Sequence, residues 1–234
     1  MTSDAAGNGK PQNLLIDADD TLWENNIFFE RVIGQVQNLL RAYGVSPELF
    51  RERLNEAERE HIPVHGYGTA NFARSLVRTF NLLAPSAGAG ASSAVQDLAL
   101  GIMHEPMQIL DGVPETLAYL ARRHLLFLVT KGHREEQMNK IEASGLVGYF
   151  RQVEILGEKN PPAFRRLMEK HAWDPTRTWM IGNSPRSDVN PALAAGMRAV
   201  FIPHAHTWAL EHEEPLRHPH LLEVRRFADL RRHF

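Results

Sequence analysis

From Gly112 onward the chain alternates short apolar runs with amphipathic stretches of about ten residues, and this rhythm limits the possible folds more than any other feature. Residues 125–130 (LLFLVT), 153–156, 178–181 (TWMI) and 199–202 (AVFI) read as strands. Residues 114–123, 133–144, 161–171 and 191–195 read as helices. Gly145 lies just past the second, and Gly196 ends the last. Strands alternating with helices predict a parallel sheet covered on both faces. The early run 14–16 stops abruptly at Asp17, as a buried strand does when it delivers its carboxyl end to a site. The expected class is therefore α/β, with a doubly wound, mostly parallel sheet.

A different period separates that first strand from the rest. Phe28, Phe29, Val32, Ile33, Val36, Leu39 and Leu40 recur at three- and four-residue intervals, as a helix with one buried face requires. Gly44 ends this helix. Ser46-Pro47-Glu48 starts another, with a capping residue before a first-position proline. A third helical pattern covers 70–83. The small-residue stretch 84–94 (APSAGAGASSA) reads as a flexible loop, and 61–68 (HIPVHGYG) as a loop between helices. The expected organisation is a disordered lead over 1–12, an α/β core over 13–23 and 107–234, and an inserted helical domain over 24–106. A last helix is expected near 221–230, packed with Trp208 against the core.

Composition removes several function classes. Lys plus Arg is 26 and Asp plus Glu is 28, a net charge of −2, so the basic footprint of a nucleic-acid binder is missing. With no cysteine, disulfides, thiolate metal sites and a cysteine nucleophile are excluded. No apolar run has the length of a signal-peptide core or a membrane span, so a cytoplasmic protein without a membrane partner is expected. Oligomeric state is left open.

Open α/β sheets bind ligands beyond the carboxyl ends of their strands, which selects four places. The first carries Asp17-Ala18-Asp19-Asp20-Thr21. Two carboxylates two residues apart can divide the work of nucleophile and proton carrier. As an alternative, the cluster is a polar turn that caps the next helix, and Thr21 is taken as such a turn or capping residue. The second carries Thr130-Lys131-Gly132. Its hydroxyl and backbone N–H groups suit a phosphate oxygen, although a plain strand-to-helix turn looks the same. The third offers Lys159 before Pro161, a cation for an anionic ligand. The fourth offers Gly182-Asn183 and, five residues beyond Asn183, Asp188, whose oxygens can surround a hard divalent cation or simply form an Asx turn.

Taken in order, LLIDADDTLW, LLFLVTKG, GEKNP and WMIGNSPRSD resemble the four motifs of the haloacid dehalogenase (HAD) superfamily over about 13–204. The helical block directly after the first motif resembles that family's smaller helical cap. The resemblance implies a Rossmann-like core and a Mg2+-dependent phosphatase acting on a small phosphorylated metabolite. It assigns Asp17 as the nucleophile that becomes an aspartyl-phosphate, Asp19 as general acid/base, Thr130 as the phosphoryl-holding hydroxyl and Lys159 as the cation paired with Asp17. It assigns Mg2+ to the Asp17 carboxylate, the backbone carbonyl of Asp19, and Asn183 with Asp188. An anionic nucleophile repels a phosphate dianion, and the metal and lysine offset that charge.

Two positions depart from the family pattern. Asp20 stands where glycine is usual, and Asn183 stands where aspartate is usual, which predicts a weaker metal site. A metal-independent dehalogenase is a second reading that Asn183 favours. Asp19 opposes it, because a departing halide needs no proton. A catalytically silent module with the same fold is a third. Besides Thr130 and Lys131, His65 and Tyr67 are expected to contact substrate at its leaving group. His204 and His206 lie near the rim of the site, with no metal role expected for them.

Overall fold

The computed structural model describes residues 10–234. Of the expected lead over 1–12, residues 1–9 lie outside the described residues. Gln12 is held by its neighbours: its backbone N–H donates to His124 Nδ1 at 3.2 Å, and its side-chain oxygen accepts the Trp179 indole N–H.

The chain forms two compact units. One contains the segment ending at Glu24 together with Met107–Phe234, and the other is Asn25–Pro106. In the first unit, β1 (Asn13–Ile16), β2 (Leu125–Lys131), β3 (Gln152–Leu156), β4 (Thr178–Gly182), β5 (Arg198–Phe201) and β6 (Leu221–Glu223) form one sheet in the order β3-β2-β1-β4-β5-β6, with every pairing parallel. Helices α5 (Val113–Ala121), α6 (Arg134–Ser144), α7 (Pro161–His171) and α8 (Asn190–Ala194) make the crossovers. Alternate residues of β1 feed two separate cores. Leu14 and Ile16 pack with Leu117, Leu128 and Val200, while Leu15 packs with Val129, Phe164 and Met180. A strand covered on both faces must be apolar throughout, as β1 is. Its register sets Ile16 beside both Leu128 and Ile181, so the residue after β1 emerges at the switch between the sheet's two halves.

The end of this sheet differs from the sequence expectation. Instead of a helix over 221–230, the chain forms β6 and then a 3-10 helix, Phe227–Arg232, whose Phe227 and Leu230 are buried in the core. Pairing of β6 along β5 satisfies its backbone, and three residues are too few to show a period.

The second unit contains α1 (Asn26–Leu40), α2 (Pro47–His65), α3 (Thr69–Leu83) and α4 (Gly88–Leu100). Val32, Ile33, Val36, Leu54, Phe72, Leu76 and Phe80 form its core, and Phe29 meets Phe72 edge-to-face at 4.9 Å. Ser46 caps α2 by accepting the Leu49 N–H. Two expected loops are corrected. Residues 88–94 open α4, because alanine has the highest helix propensity and Val95 and Ala99, four apart, are fully buried in this core. Residues 61–65 form the end of α2 with Pro63 inside it. The helix stops at Gly66, whose φ of 74° suits glycine and whose N–H donates to Ile62 O.

Candidate active site

The carboxyl ends of β1, β2 and β4 bring the first, second and fourth motifs together, and Lys159 joins them from the turn before α7. Asp17 directly follows β1, and its backbone N–H donates to Ile181 O at 2.9 Å, which extends the ladder toward β4. Its carboxylate is paired with the Lys159 ammonium, which also donates to Asp188 Oδ1 at 2.7 Å. All three groups are buried, so two acids share one base and, when both are ionised, leave a net charge of −1 out of water. Such a deficit attracts a cation. Burial and the neighbouring Asp188 push the Asp17 carboxyl up to about 7, although Lys159 opposes the rise. Lys159 is held well above its ordinary value: burial pulls it down, and the two aspartates outweigh that.

Backbone shape fixes Asp188. Its Oδ2 accepts the Ser184 N–H at 3.0 Å, and it lies in a single π-helical turn, Pro185–Val189, after β4. Gly182 makes room for it. A Cβ there would fall 2.2 Å from Asp188 Oδ2, so no larger residue fits without moving the carboxylate. Asn183 is buried next to this turn, and its Oδ1 lies 3.3 Å from the Thr21 hydroxyl. Thr21 also reaches Asp17 Oδ2 at 3.0 Å. Thr21 lies in a turn, as expected, its N–H bonded to Ala18 O, and its hydroxyl in addition joins the site. A hydroxyl four residues after Asp17 is within reach because the chain turns back on itself, with Leu22 N–H bonded to Ala18 O.

Asp19 is gripped separately. Its Oδ1 accepts the Trp23 indole N–H at 2.8 Å, its Oδ2 accepts the Gln137 amide at 2.9 Å, and Lys140 Nζ lies 2.7 Å from both oxygens. Burial raises this carboxyl, but Lys140, Gln137 and Trp23 more than offset it and hold it below the usual carboxylate range. The Thr130 hydroxyl is buried at the end of β2 and accepts from Gln137 at 3.2 Å. Sequence reasoning missed Gln137 and Lys140. Their spacing of three on the helix after the Thr130 strand was the available signal.

Lys131, expected to contact substrate, is tied to its neighbours at the end of β2. Its ammonium donates to Ser187 at 2.8 Å and pairs with Glu211, which also accepts from Ser184. The following Gly132 N–H donates to Leu156 O and is likewise engaged within the fold. Burial pushes the Glu211 carboxyl up, yet Lys131 and the serines hold it below its ordinary value. Asp20 adopts φ 59°, the left-handed conformation that explains a glycine preference at this position. His204 lies 3.8 Å from Asp20 and 3.2 Å from Glu24, and burial lowers its pKa. His65 is exposed on the last turn of α2, and Tyr67 is half-buried just beyond it, both in the helical unit.

A family model described as haloacid dehalogenase-like hydrolase matches residues 12–196. The chain is 33% identical over 166 residues to a phosphoserine phosphatase of Thermus thermophilus, covering 67% of this chain and 63% of that protein. It is 31% identical over 121 residues to a phosphoglycolate phosphatase of Vibrio vulnificus, covering 48% and 50%. The chain thus spans less than two-thirds of the length of both curated relatives. Among solved structures, a haloacid dehalogenase-like family hydrolase from Xanthomonas campestris superposes with a TM-score of 0.85 at 27% identity, covering 97% of this chain and 91% of the other.

Proposed function

Because the chain belongs to the haloacid dehalogenase-like hydrolase family, we propose that it is a Mg2+-dependent phosphatase acting on a small phosphate monoester through Asp17. The observation that carries this is the buried Asp17–Lys159–Asp188 triad, with the Asp19 carboxylate two residues from Asp17.

The residues fit a hard cation. Asp17 and Asp188 supply charged oxygens, Asn183 a neutral one and Asp19 its backbone carbonyl, and no soft donor lies among them. Asp17 and Asp188 outnumber Lys159 in charge, so a divalent ion improves the balance. When bound there, Mg2+ supplies charge neutralisation to nucleophile and phosphate alike. The protein's own groups do the rest. Asp17 attacks phosphorus in line and becomes an aspartyl-phosphate. Asp19, held as a carboxylate in this structure, takes up a proton before it gives one to the departing oxygen, then takes one from the water that cleaves the intermediate. Lys159 faces Asp17 and offsets the charge gathered there. Thr130 accepts from Gln137, which leaves its own hydrogen for a phosphoryl oxygen. Lys131 acts indirectly in this scheme, by tying the Ser187 turn to Glu211.

The helical unit is proposed as the family's cap, with His65 and Tyr67 reading the leaving group. Support comes from their polar character and from their place where α2 ends at His65 and the chain turns through Tyr67 toward α3. No helix among the described residues is long and apolar enough to cross a membrane. A cytoplasmic setting, where small phosphorylated metabolites are made, belongs to the same proposal. The named activities of the curated relatives suggest phosphoserine and phosphoglycolate as first substrates to try.

The neutral Asn183 favours metal-free dehalogenation as a second reading, and the Asp19 acid opposes it. A panel of phosphate esters and 2-haloacids, assayed with Mg2+ and with EDTA, separates these readings from a silent module. Phosphate release that needs Mg2+ and falls at least about a thousandfold in Asp17→Asn is expected. Halide release in EDTA, or full phosphatase activity in Asp17→Asn, overturns the proposal.

A further inference from the structure

Helix α6 is polar along most of its length, yet it buries Gln137, which is 4% exposed. That side chain is expensive to bury. Its Oε1 has no hydrogen-bond partner, a loss of about 1–3 kcal/mol for an isolated acceptor. What the fold keeps in exchange is on the other end of the amide. Nε2 lies 2.9 Å from Asp19 Oδ2, 3.2 Å from Thr130 Oγ1 and 2.7 Å from Lys131 O. One amide therefore indexes the residue two after β1's nucleophile position against the end of β2. Gly132 makes this possible: a Cβ there would stand 3.1 Å from Gln137 Nε2, at a φ of 136°. One turn further along α6, Lys140 spans both Asp19 oxygens at 2.7 Å. With the Trp23 indole, these contacts bring donors to both carboxylate oxygens from three side chains and leave Asp19 little rotational freedom.

We propose that Lys140 and Gln137 are positioning residues that aim the Asp19 carboxylate at the leaving-group oxygen. The proposal rests on the phosphatase reading given above. A purely structural ion pair would support all substrates equally. In the first half-reaction, which kcat/KM reports, an aiming device matters only where the departing oxygen needs a proton; activation of the water that cleaves the intermediate is common to every substrate. An alkyl phosphate has a basic leaving group and needs that proton, whereas 4-nitrophenyl phosphate does not.

Lys140→Met tests this. Its kcat/KM on an alkyl phosphate should fall about ten- to a hundredfold, a part of the roughly hundred- to ten-thousandfold that general acid catalysis contributes. Its kcat/KM on 4-nitrophenyl phosphate should fall less than about threefold, and Lys140→Arg should restore most of the alkyl activity. Equal losses of kcat/KM on both substrates, or no loss on either, overturn the proposal. A second readout is independent of turnover. The Trp23 indole N–H donates to Asp19, so its proton resonance should shift in Lys140→Met and in Gln137→Leu if the carboxylate moves. An unmoved resonance refutes the clamp even if no substrate is found. A shifted resonance in a protein that cleaves no phosphate ester supports the clamp and sinks the phosphatase reading instead.

Discussion

Gly182→Ala adds one methyl group where the site has no space. The new Cβ would lie 2.2 Å from Asp188 Oδ2, 2.4 Å from its Cγ and 2.8 Å from its Cβ. Real carbon atoms do not approach so closely, so the carboxylate or the β4 end must move. The Asp188 side chain is 1% exposed, so it cannot swing into water without opening the turn Pro185–Val189. Moving it strains its contact with Lys159 at 2.7 Å and its bond from the Ser184 N–H at 3.0 Å. Overpacking together with weakened charge-assisted hydrogen bonds should cost about 2–4 kcal/mol. At about 2–4 °C per kcal/mol for a chain of this size, Tm should fall by about 4–16 °C. Thermal denaturation followed by circular dichroism measures this. Gly157→Ala is the matched control, because nothing lies within 4 Å of the added methyl; it should stay within about 1 kcal/mol of the parent. Mg2+-dependent turnover should also collapse in Gly182→Ala and survive in Gly157→Ala. A Gly182→Ala protein that melts with the parent and keeps its Mg2+ response would refute the close packing of Asp188 against β4.

Asn183→Asp should lower the Mg2+ concentration for half-maximal activity, since it adds a charged oxygen beside Asp188. A titration that does not move would remove Asn183 from the ligand set. In EDTA, Asp17 should make stability depend on pH with a definite sign. Its folded value of about 7 exceeds its ordinary 3.8, so between those values the folded protein binds a proton that the unfolded chain has released. Stability from this group is therefore gained as pH falls through about 7 and is complete below about 3.8. The Tm difference between the parent and Asp17→Asn should shift in the parent's favour from pH 8 to pH 5, and a flat difference would contradict it. Glu211 has the opposite sign. Held below its ordinary value, it contributes stability above that value and loses it in more acid solution, so Glu211→Gln should flatten the acid limb of the Tm profile.

Much of the α/β unit could be read from the sequence because buried strands and amphipathic helices each leave a period. The 161–171 helix, opened by proline, appears with the expected bounds. Helix α4 was hidden for a physical reason. Ala91, Val95 and Ala99 pack four apart, but alanine is too small to register as an apolar stripe and looks like low complexity. Pro63 hid the last turn of α2 in the same way, because a helix breaker in sequence can still be accommodated near a helix end. At the site, Asp17, Lys159, Thr130 and Asp188 were legible as polar residues at strand ends. Thr21, Gln137, Lys140 and Glu211 were not, because their significance lies in which side chain they reach. Glu211, for example, meets Lys131 from 80 residues away.

The chain leaves and re-enters the α/β unit through a narrow neck. Glu24 N–H bonds Gln108 O at 2.9 Å, Leu110 N–H bonds Leu22 O at 3.0 Å, and Trp23 bridges antiparallel to Ile109. A stem zipped in this way makes the intervening segment a cassette, since its two ends are already side by side whatever they carry. Replacing 25–106 by a tight hairpin turn should leave β1 in register, and grafting a foreign helical module onto the same stem should leave the chemistry in place while new partners for it are sampled.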